Sequence, residues 1–202
     1  MNHKRSQILT ALLLAGGFWA TAHAGDAKEI AASVCAACHG EDGNSVAPTF
    51  PKLAGQNAVY LQKQLKDFLS GKRKNEAMEP FLGSFSDGDT SALGVHFARE
   101  KTAPGTVEDA TLVEAGRKLF QDGNTDSGIP ACAGCHQVDG MGNDRYPRLA
   151  GQHQTYTLAQ MQNFKSGARN NDKGKIMRSV AERLTEAEMK AVSEYLAGME
   201  VK

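Results

Sequence analysis

Two short segments hold the residues best suited to demanding chemistry. "CAACHG" occupies 35–40 and "CAGCHQ" occupies 132–137, so a Cys-x-x-Cys-His arrangement occurs twice. On a helical turn the two thiols and the imidazole of such a motif share one face. Three chemistries suit that face. The thiols can help to hold a zinc ion, they can form a redox disulfide, or they can add across the two vinyl groups of a haem. In the last case the adjacent histidine lies under the porphyrin and ligates its iron.

The elements that must position these residues come from an internal repeat. "FPKLAGQNAVYLQKQLKDFLSGKRKN" (50–75) reads onto "YPRLAGQHQTYTLAQMQNFKSGARNN" (146–171) at a constant offset of 96. The cysteine motifs are offset by 97, and "FSDGDTSALGVHFA" (85–98) matches "LTEAEMKAVSEYLA" (184–197) at 99. The order of features is the same in both halves, with "EKTAPGT" (100–106) as a short Pro-Gly linker between them. Two domains are expected, 25–103 and 104–202. Each is near the lower size limit for an independent core, so a large apolar cofactor would supply much of what is missing.

The expected elements are helices. Asp26 with Glu29 three residues on makes a capping-box-like start that leads into the first motif. Leu61, Leu65, Phe68 and Leu69 form one stripe over 57–70, and Gly71 ends that helix. Ser86 with Asp89 opens a helix to about residue 100, Thr106 with Asp109 opens one through Phe120, and Thr185 with Glu188 opens the last, which Gly198 closes. The loop "QDGNTDSGIP" delays the second motif. No stretch keeps a period of two, so strands are not expected and the fold class is all-α.

Composition narrows the function. Residues 1–24 have a basic start (His3, Lys4, Arg5), an apolar run from Ile8 to Ala20 and the small-x-small end Ala22-His23-Ala24, the pattern of a secretory signal peptide. The run is short for a bilayer span, and nothing later is apolar enough to cross one. The chain has 23 Lys+Arg and 23 Asp+Glu, which leaves no electrostatic footprint for nucleic acid. Export leads to an oxidising compartment, where spare cysteines pair. All four cysteines lie inside the motifs, so none is spare.

Haem fits better than zinc or a disulfide. A structural zinc needs four ligands, yet each cysteine pair belongs to its own complete repeat and both histidines would go unused. A thioredoxin-like disulfide expects a strand before the motif, and here the lead-in is helical. Covalent haem uses every residue: thioethers at Cys35, Cys38, Cys132 and Cys135, with His39 and His136 as iron ligands. Methionine sulfur is a common sixth ligand in electron carriers. Met78 is the only methionine between the motifs. In the second half Met161 aligns with Leu65 as core filling, Met189 faces a helix stripe, Met199 sits at a frayed end, and Met141 follows His136 too closely. Met177 follows "SGARNN" as Met78 follows "SGKRKN", with spacings of 41 and 39 residues from the respective histidines.

Other residues are assigned more modestly. Pro51 and Pro147 recur after the motifs, where a carbonyl could receive the histidine's second ring proton, although a plain turn before a helix explains them as well. Arg73 and Arg169 match between halves and are candidates for haem propionates or for solvated loop positions. His96 matches Tyr195 and reads as a packing residue, and His153 as a cap or surface group.

On "CAACHGEDGNS", "FPKLAGQ", "YLQKQLKDF", "YPRLAGQ", "NEAMEP" and "GKIMRS", the sequence resembles the cytochrome c4 family over essentially the whole chain after residue 24. That resemblance implies two tandem class I cytochrome c domains and two covalently bound haem c groups. It also implies axial pairs His39/Met78 and His136/Met177, and electron transfer in the periplasm from a quinol-oxidising complex toward a terminal oxidase. The competing function is a dihaem enzyme, peroxidase-like, or a haem-based sensor. Either would need an open iron position with acid–base groups beside it, and no such cluster is evident. Peripheral association with a membrane-bound complex is compatible with either function.

Overall fold

The computed structural model describes residues 26–83 and 85–201; the signal-peptide assignment lies outside them. Among the described residues there are helices and turns, no named strand, and one isolated bridge, between Asn124 and Ile129.

In the first half the lead-in runs as α1 (Ala27–Ile30), a π turn (Ala31–Cys35) and α2 (Ala36–His39). The Asp26 carboxylate caps α1 by accepting from the Lys28 N–H at 2.9 Å; the return bond of a full capping box is not formed. α3 (Ala58–Leu69) starts at Asn57, whose side chain accepts from the Tyr60 N–H, and α4 (Asp87–Arg99) starts at the predicted Ser86/Asp89 capping box. α3 packs on α4, and Ala31, Leu61, Leu93 and Phe97 form the core between them and the lead-in.

The second half repeats this plan with a longer lead-in. Its helix starts later than Thr106: Asp109 is the cap, a 3-10 turn covers Ala110–Leu112, and α5 spans Val113–Asp122. The chain then leaves the helix through 123–131 before α6 (Ala133–His136). α7 (Gln154–Ser166), α8 (Ile176–Arg183) and α9 (Glu186–Gly198) follow, α9 opening on the predicted Thr185/Glu188 capping box. α5 crosses α9 at Gly116, where a Cβ would come within 2.0 Å of the Ala191 carbonyl oxygen, so only glycine lets these backbones meet.

The second core is larger. It includes Leu119, Phe120, Met161, Phe164, Met189 and Leu196, all buried. Met161 and Met189 are core residues, as their helical spacing implies. Met199 is not frayed: it packs on this core, with its sulfur against Gly140.

The halves meet through a polar joint with approximate two-fold symmetry, in which each residue contacts the counterpart of its own partner. The Lys52 N–H donates to Gln152 Oε1 at 2.9 Å, and the Arg148 N–H donates to Gln56 Oε1 at 2.8 Å. In return Gln152 Nε2 donates to the Lys52 carbonyl at 3.0 Å, and Gln56 Nε2 to the Arg148 carbonyl at 2.9 Å. Further out, Arg73 donates to Tyr156 Oη (3.2 Å) and Gln160 Oε1 (3.0 Å), while Arg169 donates to Tyr60 Oη (2.9 Å) and Gln64 Oε1 (3.1 Å). Each guanidinium also stacks on a phenylalanine of its own half, Arg73 on Phe68 at 4.6 Å and Arg169 on Phe164 at 4.5 Å. These arginines are therefore not simply solvated: they stitch the halves together.

Candidate cofactor sites

Both Cys-x-x-Cys-His motifs lie on short helical turns that end at the histidine. Gly40 leaves the first turn at φ +80° and Gln137 leaves the second at φ +68°. His39 and His136 are buried, 5% and 6% exposed. His39 Nδ1 lies 2.9 Å from the Pro51 carbonyl oxygen and His136 Nδ1 lies 3.0 Å from that of Pro147. A carbonyl only accepts, so each Nδ1 carries the proton and each Nε2 keeps a free lone pair for a metal. Burial pushes both imidazoles below their ordinary pKa, against the carbonyl bond, which keeps the ring neutral. The two proline turns thus have matching roles, and a nearby phenylalanine or tyrosine (Phe50, Tyr146) meets each ring edge-on.

The sulfurs are suited to neutral thioethers. All four cysteines are free and half-buried. Burial pushes the Cys35 thiol up to about 11 and the Cys132 thiol up to about 11 as well. Burial at Cys35 and Cys132 penalises a charged thiolate and accommodates an uncharged C–S bond. No group of three or more His, Cys, Asp or Glu side chains among the described residues could hold a metal ion. The structural zinc reading therefore lacks a donor cage, and the donor set fits covalent haem.

The methionine segments differ. Met78 is half-buried just before a 3-10 turn (Glu79–Phe81), and its N–H donates to the Asn75 carbonyl at 2.9 Å and to Asn75 Oδ1 at 3.1 Å. Met177 lies in the first turn of α8, half-buried against the second core. Asp172 anchors that segment: its carboxylate accepts from the Arg178 N–H at 3.1 Å and Nε at 2.7 Å. Burial alone would raise the Asp172 pKa, but the Arg178 bonds outweigh it and hold the carboxyl below its ordinary value.

A cytochrome c family model matches residues 24–92 and 113–200, one match in each half. Cytochrome c4 from Azotobacter vinelandii is 44% identical over 209 residues, covering 96% of this chain and 99% of that protein. The chain belongs to the cytochrome c4 family. The reduced cytochrome c4 of Pseudomonas stutzeri superposes with a TM-score of 0.82 at 43% identity, over 88% of this chain and all of that one. A more distant relative, the thiosulfate dehydrogenase electron acceptor of Stutzerimonas stutzeri, is 38% identical over 84% of this chain and 80% of that protein. The fold is therefore two tandem class I cytochrome c domains, and the protein is a dihaem electron-transfer cytochrome. Haem c is attached at Cys35/Cys38 and at Cys132/Cys135.

Sequence reasoning missed the joint. Gln56, Gln152, Tyr60 and Tyr156 stood in the repeat as matched pairs, but a match at fixed offset does not reveal that the pairs contact crosswise. His153 was likewise misread. It occupies the N-cap position of α7 without capping it, and its Nε2 instead reaches the first half, 2.9 Å from the Ser45 carbonyl oxygen and 3.0 Å from Ser45 Oγ. His96 packs edge-on against Phe97, 4.9 Å between ring centroids, as the packing assignment expects.

Proposed function

We propose that this cytochrome shuttles electrons in a periplasmic respiratory chain, accepting them from a quinol-oxidising complex and passing them toward a terminal oxidase. The axial pairs are His39/Met78 and His136/Met177, and the domains are 25–103 and 104–202. Bound haem supplies a one-electron ferric/ferrous couple. The protein's own residues keep each histidine neutral, fix its ring through a proline carbonyl, and bring a soft thioether from a separate segment, which raises the potential.

The observation that carries this reading is the repeated histidine–proline bond, found in both halves at nearly equal length. A histidine and a methionine at each iron would leave no open position, which suits a carrier, because an enzyme acting at iron needs one left open. The relative named as an electron acceptor of thiosulfate dehydrogenase supports a carrier fed by a donor protein. No helix among the described residues is long and apolar enough to cross a membrane, which is compatible with a chain that meets membrane complexes from the periplasm.

A redox-titrated optical spectrum tests the assignment. Two low-spin haems should titrate, with a near-infrared sulfur-to-iron band whose intensity halves in Met78→Leu and again in Met177→Leu. A band that survives Met177→Leu but halves in Met161→Leu would refute the second pair.

A further inference from the structure

The carbonyl that holds each axial histidine is one end of a peptide group whose other end is held by the opposite half. The Pro51 carbonyl accepts from His39 Nδ1–H, and the N–H of that same peptide, on Lys52, donates to Gln152 Oε1 at 2.9 Å. In the second half the Pro147 carbonyl accepts from His136 Nδ1–H, and the Arg148 N–H donates to Gln56 Oε1 at 2.8 Å. Two unbroken chains therefore run imidazole, peptide, glutamine, each crossing from one half to the other.

Both glutamines are buried, Gln56 at 5% and Gln152 at 4% exposed, so water does not substitute for them. Their amide orientations are fixed by the network. Each Oε1 also accepts the next backbone N–H (Asn57 at 2.9 Å, His153 at 3.0 Å), and each Nε2 donates to the opposite carbonyl of residue 148 or 52.

A hydrogen bond at the N–H end of a peptide polarises its C=O end and makes it a stronger acceptor, more so in a dry interior. A stronger acceptor at Nδ1–H makes Nε2 a more basic ligand, and a more basic ligand favours ferric iron. We propose that Gln152 and Gln56 are crossed positioning residues: Gln152, in the second half, tunes the first haem through Pro51 and His39, and Gln56, in the first half, tunes the second haem through Pro147 and His136. This rests on the assignment of His39 and His136 as axial ligands. It makes each haem's potential a property of the assembled pair rather than of its own domain.

The test uses the full haem-loaded protein with Gln152→Leu, Gln56→Leu and Gln152→Glu. Readouts are the potential of each haem and the NMR shift of each histidine Nδ1 proton in the reduced state. Gln152→Leu should raise the first haem's potential and move the His39 proton upfield, with little change at His136; Gln56→Leu should give the mirror result. Gln152→Glu, which retains an acceptor of greater charge, should shift the first haem the opposite way, and it serves if the leucine variant does not fold. Equal shifts at both haems, a larger shift in the variant's own half, or no shift would overturn the proposal and leave the glutamines as a joint only. Failure of the underlying assignment is separable: the wild-type spectrum would then lack a ligated-histidine signature for that haem.

Discussion

The two halves share one joint but stand on different scaffolds. Bonds related by the two-fold agree within a few tenths of an ångström: 2.9 and 2.8 Å at the glutamine acceptors across the joint, and 2.9 and 2.8 Å from Arg73 and Arg169 to glutamines of their own halves. The cores do not match. Among the described residues four buried side chains make the first, whereas the second has a longer lead-in helix and adds Phe120 against Tyr195. Around the arginines, Asp67 and Lys63 pair in the first half and Asn171 donates to Asp67 at 2.7 Å. Their counterparts are the uncharged Asn163 and Ala159. A residue whose partner is its own symmetry mate's neighbour cannot drift without spoiling two contacts, whereas a core confined to one half can be rebuilt alone.

The largest expected effect attacks the core difference. Phe120→Ala should destabilise the protein by about 3–5 kcal/mol, because a fully buried ring leaves a cavity. Thermal unfolding followed at the haem absorbance checks this, and the transition should split, the second half melting first.

Next is the joint. Arg169 is buried and Arg73 only half-buried, so Arg169→Ala should cost about 2–4 kcal/mol by removing the donor to the Tyr60 hydroxyl, and Arg73→Ala about 1 kcal/mol, that guanidinium being itself nearer solvent. Urea denaturation of the two variants measures the gap; equal costs would show that the two-fold extends to energetics.

The methionine segments should separate in acid. Asp172's carboxyl is depressed in the folded state, so its stabilisation is present above the ordinary carboxylate pKa of about 3.9 and is lost as pH falls through the lower folded value. Asn75, which holds the Met78 turn, does not titrate. With Met78 and Met177 as the proposed sixth ligands, acid should therefore weaken sulfur ligation at the second haem before the first, and Asp172→Asn should weaken it already at neutral pH, at a cost of about 1.5 kcal/mol. The near-infrared band recorded against pH reports both.

The smallest effect concerns the asymmetric bridge. His153→Asn restores the residue of the first half and removes the Ser45 contact, with an expected cost of about 0.5–1 kcal/mol by the same denaturation assay.

Much of the site was legible because its chemistry is local. Cys35, Cys38 and His39 are fixed by spacing on one turn, and the Ser86/Asp89 and Thr185/Glu188 capping boxes by residues three apart. Local rules failed where a longer-range contact decided the outcome. α5 begins after Asp109 rather than at Thr106, since the Glu108 N–H is taken by Glu194 Oε2 of α9 at 2.9 Å. His153 gave up capping for a carbonyl 108 residues away in sequence.

The sequence by itself determined the covalent chemistry, the helical class and the doubling, because thioether spacing, helix caps and a repeat at fixed offset are written along the chain. Only the tertiary structure decided which carbonyl each histidine faces, where Arg73 and Arg169 are spent, and how the halves meet. Those outcomes depend on surfaces brought together from opposite halves, where a buried amide or guanidinium must find partners or forfeit its hydration, and no spacing within one half records which partners the other will present.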